Sequence, residues 1–305
     1  MANKTKFAFL EELSKRYGKI YKLGNSLSLY DVGEGAARIY IRYSKVHSKG
    51  QTFYGLRKND LQQLEGYPSV ICFLWEGQKE PLFVPYSDYE NIFHSISPAS
   101  DGQYKVQIYL QEEGNNLYIA TAGRFNAEAY FGWQQLHSII ETSKLIDMPS
   151  LSHFQVQTLI GSIGIIKGFD IWIPRNDRGR LDWSITDSFG CMSSIPQKFY
   201  SIEGILSEID VIWIDRGASM LRALFEVEHS TPIYSGLLRF NDIHLSIQNI
   251  HATYNIVADD DRRSLFVNQL SRPTFKVSGL GENCTFMEYK NVFFWYKRIY
   301  EHRSD

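Results

Sequence analysis

Residues 207–230 read SEIDVIWIDRGASMLRALFEVEHS, and the rest of the chain is arranged around them. Two apolar runs, 209–214 and 221–227, flank a turn at Arg216-Gly217-Ala218 and predict neighbouring strands. In the first, Asp210 shares a face with Ile212 and Ile214. In the second, period-two alternation puts Glu226 and Glu228 on one face and Phe225 and Val227 on the other. Three carboxylates therefore gather at the end of a hydrophobic sheet. Repulsion and lost solvation make this costly unless the acids share a proton or a cation. A hard divalent metal resolves the conflict. The competing reading is a solvated sheet edge or a structural ion site.

Working outward, Ser152 caps a helix over 153–166 that Gly168 ends, and a strand over 169–173 stops at Pro174. Asn176-Asp177-Arg178-Gly179-Arg180 is a turn, and 199–206 reads as helical. Beyond the central pair, Ser230-Thr231-Pro232 starts a helix that runs to about Gln248, with Ile233, Leu237, Phe240, His244 and Ile247 as its inner stripe. A strand follows over 253–258, then a helix over 261–270 that Arg272-Pro273-Thr274-Phe275 ends. The aromatic tail over 286–300 covers the sheet or a partner subunit. The order helix, strand, strand, strand, helix, strand describes a mixed α/β layer without the glycine fingerprints of dinucleotide or phosphate-loop proteins.

Before residue 145 the signals are those of strands, at 27–30, 37–43, 69–74, 82–84, 104–110 and 117–120, with helical patches at 6–17, 56–64 and 89–96. The chain thus divides into a β-rich domain over 1–145 and a mixed α/β (α+β) domain over 152–305, with 145–152 as the connection. Within residues 1–60, twelve Lys or Arg stand against five Asp or Glu. Arg38, Arg42, Lys45 and Lys49 alternate with Tyr40, Tyr43 and His47, and Lys105 and Arg124 lie in later polar-aromatic stretches. Basic residues for phosphates, with aromatics, Asn and Gln for base edges, suit a DNA-reading surface. An ordinary solvated face of a β domain is the alternative.

With 305 residues, a net charge of −2 and 22% charged residues, the composition is that of a folded chain with no global field for a polyanion. Cys72, Cys191 and Cys284 follow no ligand spacing, so neither a zinc site nor a disulfide framework is expected. No apolar run is long enough to span a bilayer, and the polar start MANKTKFAF lacks a secretory core, so a cytoplasmic protein without membrane contact is expected.

Asp210, a fifteen-residue gap and Glu226-x-Glu228, followed by a helix and another strand, resemble the PD-(D/E)xK nuclease superfamily, which includes many type II restriction endonucleases. The resemblance covers roughly 152–276. Here Glu228 stands where lysine is usual, as in the branch whose strand carries Glu-x-Glu, and a positive group that positions water is lost. The resemblance implies a restriction-endonuclease-like core with a central mixed sheet flanked by helices. It also implies Mg2+, with Mn2+ as substitute, held by Asp210, Glu226 and the Val227 carbonyl, while Glu228 orients or deprotonates water. The preceding helix often contributes a further glutamate. This chain offers Gln155 and Gln157 there, with Glu203 or Glu208 as replacements.

His153 and His251 are read as packing or surface histidines, His229 points away from the acids, and Ser230 is a cap. Arg175, Arg178 and Arg239 are candidates for phosphate contacts, each equally able to pair with Asp177, Asp182 or Asp242. The expected activity is site-specific hydrolysis of double-stranded DNA by a homodimer, alongside a cognate DNA methyltransferase. The alternatives are a non-catalytic DNA-binding protein that keeps the nuclease fold, and a repair or structure-specific nuclease.

Overall fold

The structure, a computed structural model, describes residues 4–23, 26–111, 114–145, 148–217, 219–229, 232–247 and 252–301. The chain forms two units, Met1–Asp147 and Met148–Asp305. Ala218, the Ser230-Thr231 cap, the helix end at Gln248 and His251 lie outside the described residues.

Unit 1 contains α1 (Lys4–Tyr17), β1 (Tyr21–Lys22), β2 (Leu29–Val32), β3 (Ala37–Ser44), β4 (Gln51–Arg57), α2 (Lys58–Gln62), β5 (Ser69–Trp75), β6 (Leu82–Pro85), α3 (Glu90–Ser95), β7 (Gln103–Tyr109), β8 (Asn116–Ile119), β9 (Gly123–Asn126) and α4 (Trp133–Leu145). A five-stranded mixed sheet runs in the order β1-β2-β3-β5-β6. One face packs Ile39, Ile41, Val70 and Cys72 under Phe9 and Leu13 of α1 and Leu136 and Ile140 of α4. The other face, with Tyr40, Ile71 and Phe73, meets the inner side of an antiparallel sheet ordered β4-β7-β8-β9.

Part of the helix expected over 56–64 is strand. Thr52, Tyr54 and Leu56 alternate inward, so β4 continues to Arg57 and only Lys58–Gln62 turns helical. The sequence reading also passed over β9 and α4.

Unit 2 contains α5 (His153–Ile166), β10 (Asp170–Trp172), α6 (Glu203–Leu206), β11 (Val211–Ile214), β12 (Leu221–Val227), α7 (Ile233–Ser246), β13 (Thr253–Ala258), α8 (Arg263–Leu270), α9 (Pro273–Ser278), β14 (Cys284–Glu288) and α10 (Tyr289–Glu301). Its sheet runs β10-β11-β12-β13-β14, antiparallel at the first two pairings and parallel at the last two. The fold is therefore mixed α/β.

Two outcomes depart from the sequence reading. Pro273 opens α9, because a proline at the first helical position gives up no hydrogen bond. The tail supplies a fifth strand, β14, before α10; its backbone groups pair with β13.

Sheet parity sorts the core of unit 2. Ile212, Ile214, Leu224, Tyr254 and Ile256 pack with Ile233, Leu237 and Phe240 of α7. On the opposite face Trp213 is 1% exposed; its ring centroid is 5.5 Å from Phe169, 4.7 Å from Phe225 and 5.5 Å from Trp295 of α10. Its indole N–H donates to Ile160 O at 3.1 Å, which ties α5 to the sheet.

That contact needs Gly164. A Cβ there would lie 2.4 Å from Ile171 Cδ1 and 2.5 Å from Trp213 Nε1, whereas one at Gly204 of α6 meets nothing within 4 Å. Gly164→Ala should therefore cost about 1–3 kcal/mol in urea unfolding through overpacking. Gly204→Ala should be neutral or stabilise by up to about 1 kcal/mol through helix propensity.

Candidate active site

The antiparallel register of β11 on β12 brings the start of one strand beside the end of the other. Asp210, immediately before β11, accepts the Val227 backbone N–H through Oδ2 at 2.7 Å. From α5 the fully buried Gln157 donates through Nε2 to Asp210 O at 2.9 Å and to Asp177 Oδ2 at 3.3 Å. A capping box sets the start of α5: Ser152 Oγ accepts from Gln155 N and Gln155 Oε1 accepts from Ser152 N. The first residue of the helix, His153, thereby reaches the carboxylates, with Nε2 at 3.7 Å from Asp210 Oδ1. One donor atom each from His153, Asp177 and Asp210 lies within 4.8 Å of the others.

Glu226 and Glu228 are 1% and 2% exposed. From α7, Arg239 grips Glu226 with two 2.7 Å bonds, Nε to Oε1 and Nη2 to Oε2. The helix comes this close because Gly236, one turn earlier, has no side chain; a Cβ there would sit 2.9 Å from Glu228 Oε1 and 3.3 Å from Glu226 Cβ.

Burial dominates the electrostatics. It raises Asp210 to about 7 against the Val227 N–H, with Glu228 and Asp177 adding repulsion. It raises Glu226 to about 8, although the Arg239 bonds pull the other way. Burial also lowers His153, which stays a neutral imidazole near pH 7 and so able to donate a lone pair. Two hard carboxylate oxygens, one imidazole and neighbouring acids reluctant to ionise without a counter-charge form a donor set that fits a divalent cation. The buried Gln157 Oε1 has no hydrogen-bond partner among the described residues, which adds an unused oxygen beside Asp177 and Asp210.

The end of β12 sets Glu226 and Glu228 beside the strand start that carries Asp210, but among the described residues the group with ligand spacing is His153, Asp177 and Asp210, and Arg239 takes both Glu226 carboxylate oxygens. His153, read as a packing or surface histidine, is half-buried beside the Asp177 and Asp210 carboxylates. Arg239, expected to contact phosphate or pair with Asp177, Asp182 or Asp242, pairs with Glu226. Gln155 is not available as a ligand, because its Oε1 serves the cap and its Nε2 donates to Asp182. Glu203 and Glu208 are exposed, and β11 begins at Val211, too late to turn Glu208 with Asp210. His229 stacks on Tyr289, with centroids 6.2 Å apart.

Among the residues expected to meet DNA, Arg38 is 2% exposed, bonded to Asp31 and Gln63 O and stacked 3.2 Å from the Tyr67 ring centroid. It is a core residue. Arg178 is likewise occupied, by Ile173 O and Met192 O and by the Trp172 ring. Arg42 is half-buried, while Lys45, Lys49, Lys105 and Arg124 are exposed. Adjacent basic residues look alike in sequence; strand pairing decides which of them turns inward.

Residues 138–303 match the family described as the type II restriction enzyme NmeDI C-terminal domain, and the chain belongs to that family. The type II restriction enzyme NmeDI of Neisseria meningitidis serogroup C is 34% identical over 132 residues, 41% of this chain and 37% of that protein. The match therefore spans little more than a third of the relative's length. No solved structure matches the chain. Among the described residues no helix is long and apolar enough to cross a membrane.

The raised carboxyls make stability fall with pH. Native Asp210 keeps its proton until about pH 7, whereas in the unfolded chain it is released near pH 4. The native state thus binds the extra proton across that window, and stability drops as pH rises through it. In EDTA, Asp210→Asn should leave the urea midpoint nearly unchanged at pH 4 and raise stability by roughly 2–4 kcal/mol at pH 8. Equal effects at both pH values would contradict this assignment.

Proposed function

We propose that the chain is a Mg2+-dependent, site-specific endonuclease that hydrolyses phosphodiester bonds of double-stranded DNA, with a PD-(D/E)xK-type catalytic unit after residue 147. The observation that carries the reading is the half-buried His153, Asp177 and Asp210 cluster beside the buried Glu226 and Glu228 where β11 meets β12, inside the residues that match the restriction-enzyme family.

Asp210 and Asp177 offer carboxylate oxygens and His153 an imidazole nitrogen to the ion, with the Val227 carbonyl and Glu226 as the other proposed ligands. When bound, Mg2+ or its substitute Mn2+ polarises a phosphoryl oxygen and lowers the pKa of water. Glu228, on the same strand face as Glu226, takes the proton from the attacking water at a carboxylate oxygen. Arg239 compensates for the absent lysine: it brings a guanidinium to the acidic centre from α7 and holds Glu226 in a fixed orientation. The burial of Glu226 and Glu228 keeps bulk water off these groups and strengthens their interactions.

Unit 1 is proposed to recognise DNA. A homodimer matches the two strands of a duplex site, and a cognate DNA methyltransferase protects the host sequence.

Purified protein should cut plasmid or phage DNA into discrete fragments in Mg2+ or Mn2+ and leave it intact in EDTA. Asp210→Ala should slow cleavage about a hundredfold or more. His153→Ala should weaken Mn2+ binding by at least about tenfold in calorimetry. DNA of every methylation state left intact by folded protein in both metals would refute cleavage. Retained DNA binding would then point to the non-catalytic reading, and preference for flaps or mismatches to a structure-specific nuclease.

A further inference from the structure

The outer face of the β4-β7-β8-β9 sheet is built unlike the rest of unit 1. Its inner residues alternate into the core, Tyr54, Leu56, Tyr104, Val106, Ile108, Leu117 and Ile119 among them. The other parity faces outward. The four strands read QTFYGLR, QYKVQIY, NLYI and GRFN and hold three Lys or Arg and no Asp or Glu. Amides and aromatics fill the outward positions between the cations.

The side chains on this face pack against one another. Arg124 lies 4.2 Å above the Tyr109 ring centroid, and Tyr109 meets Tyr118 edge-on at 6.2 Å. Cross-strand pairing sets Gln107 opposite Tyr118, Tyr118 opposite Arg124 and Asn116 opposite Tyr109. A guanidinium resting over an aromatic ring loses less freedom on binding than a free one and keeps its N–H groups for a partner. Gln103 occupies the space over Gly55: a Cβ there would lie 1.7 Å from its Oε1, so the glycine in mid-strand makes room for an amide.

We infer that this face docks on duplex DNA, with the two-stranded β8–β9 hairpin at the sheet edge in the major groove and the adjoining strand β7 along its rim. Outward side chains recur about every 7 Å along a strand, twice the ~3.4 Å rise of a base pair. A two-stranded ribbon also fits a groove about 12 Å wide. Gln107 and Asn116 present amide donors and acceptors to base edges, Asn116 with the N–H that its 3.3 Å bond to Gly114 O leaves over, Arg124 presents paired donors, and Lys105 meets phosphate. Lys105 pairs with exposed Asp101, and so exposed an ion pair yields readily to a stronger anion. Three cations and no acid on these strands complement a polyanion. This inference rests on the nuclease reading above, for which it names the recognition surface.

The test uses the full chain in EDTA with a pool of duplexes that carry a random central segment, selected by binding and sequenced. Wild type should enrich a defined motif. Gln107→Ala and Asn116→Ala should relax it at one or two positions, each with a roughly 5- to 150-fold loss on the selected duplex. Lys105→Glu with Arg124→Glu should weaken every duplex at least about tenfold and flatten the salt dependence. These are surface changes, and circular dichroism and the melting temperature check that the fold persists.

Variants that keep wild-type affinity and motif, while wild type cuts DNA in Mg2+, overturn this inference and leave the nuclease reading intact. A motif that is lost in the variants, from a wild type that never cuts, supports the surface and refutes the nuclease. Preference of wild type for single strands or RNA overturns the duplex assignment, and a wild type that binds no DNA refutes both.

Discussion

The hydrogen bond from Val227 N–H to Asp210 Oδ2 is the constraint on which the candidate site depends. It pins the residue before β11 to the last residue of β12 and places Asp210 across from the Glu-x-Glu strand end. A carboxylate held there has little water around it, so its charge must be answered by protein groups or by a cation. Each neighbour follows from that demand. Gln157 donates to the Asp210 carbonyl, and the capping box at Ser152 turns His153 towards its side chain. These are second contacts of a helix already fastened to the sheet by the indole of Trp213 and the gap at Gly164.

The opposite side is closed by α7. Gly236 lets the helix axis approach, and Arg239, three residues on, lies on the same helix face and reaches Glu226. One charge on a helix thus partly neutralises acids on a strand, while Asp210 and Glu226 still resist ionisation. Such an arrangement disfavours the empty, fully charged site and is suited to hold a cation, because a metal removes the repulsion that burial creates. The acids weaken the fold in exchange for a strong local field.

In unit 1 the same physics sorts cations by strand pairing. Arg38 lies opposite Asp31 and folds into the interior, where its ion pair, carbonyl bond and stacking on Tyr67 satisfy it. Arg124 lies opposite Tyr118 on an edge strand and stays outside, braced by Tyr109. Both are arginines next to tyrosines. One completes a core and the other presents a charged surface because their registers differ.

The period-two pattern of residues 209–228 determined by itself that two strands adjoin, that Glu226 and Glu228 share a face and that Val227 turns the other way. The cap at Ser152 determined where α5 begins. These features depend on neighbours within a few positions, where alternation and capping act. Only the tertiary structure decided that His153, Asp177 and Gln157 join Asp210, that Arg239 takes Glu226 and that the tail adds β14 to the sheet. Those partners are separated by 13 residues or more, and they meet because sheet order and helix packing bring them together. Local periodicity tells which face a side chain occupies, but the residues it meets there depend on how whole elements pack.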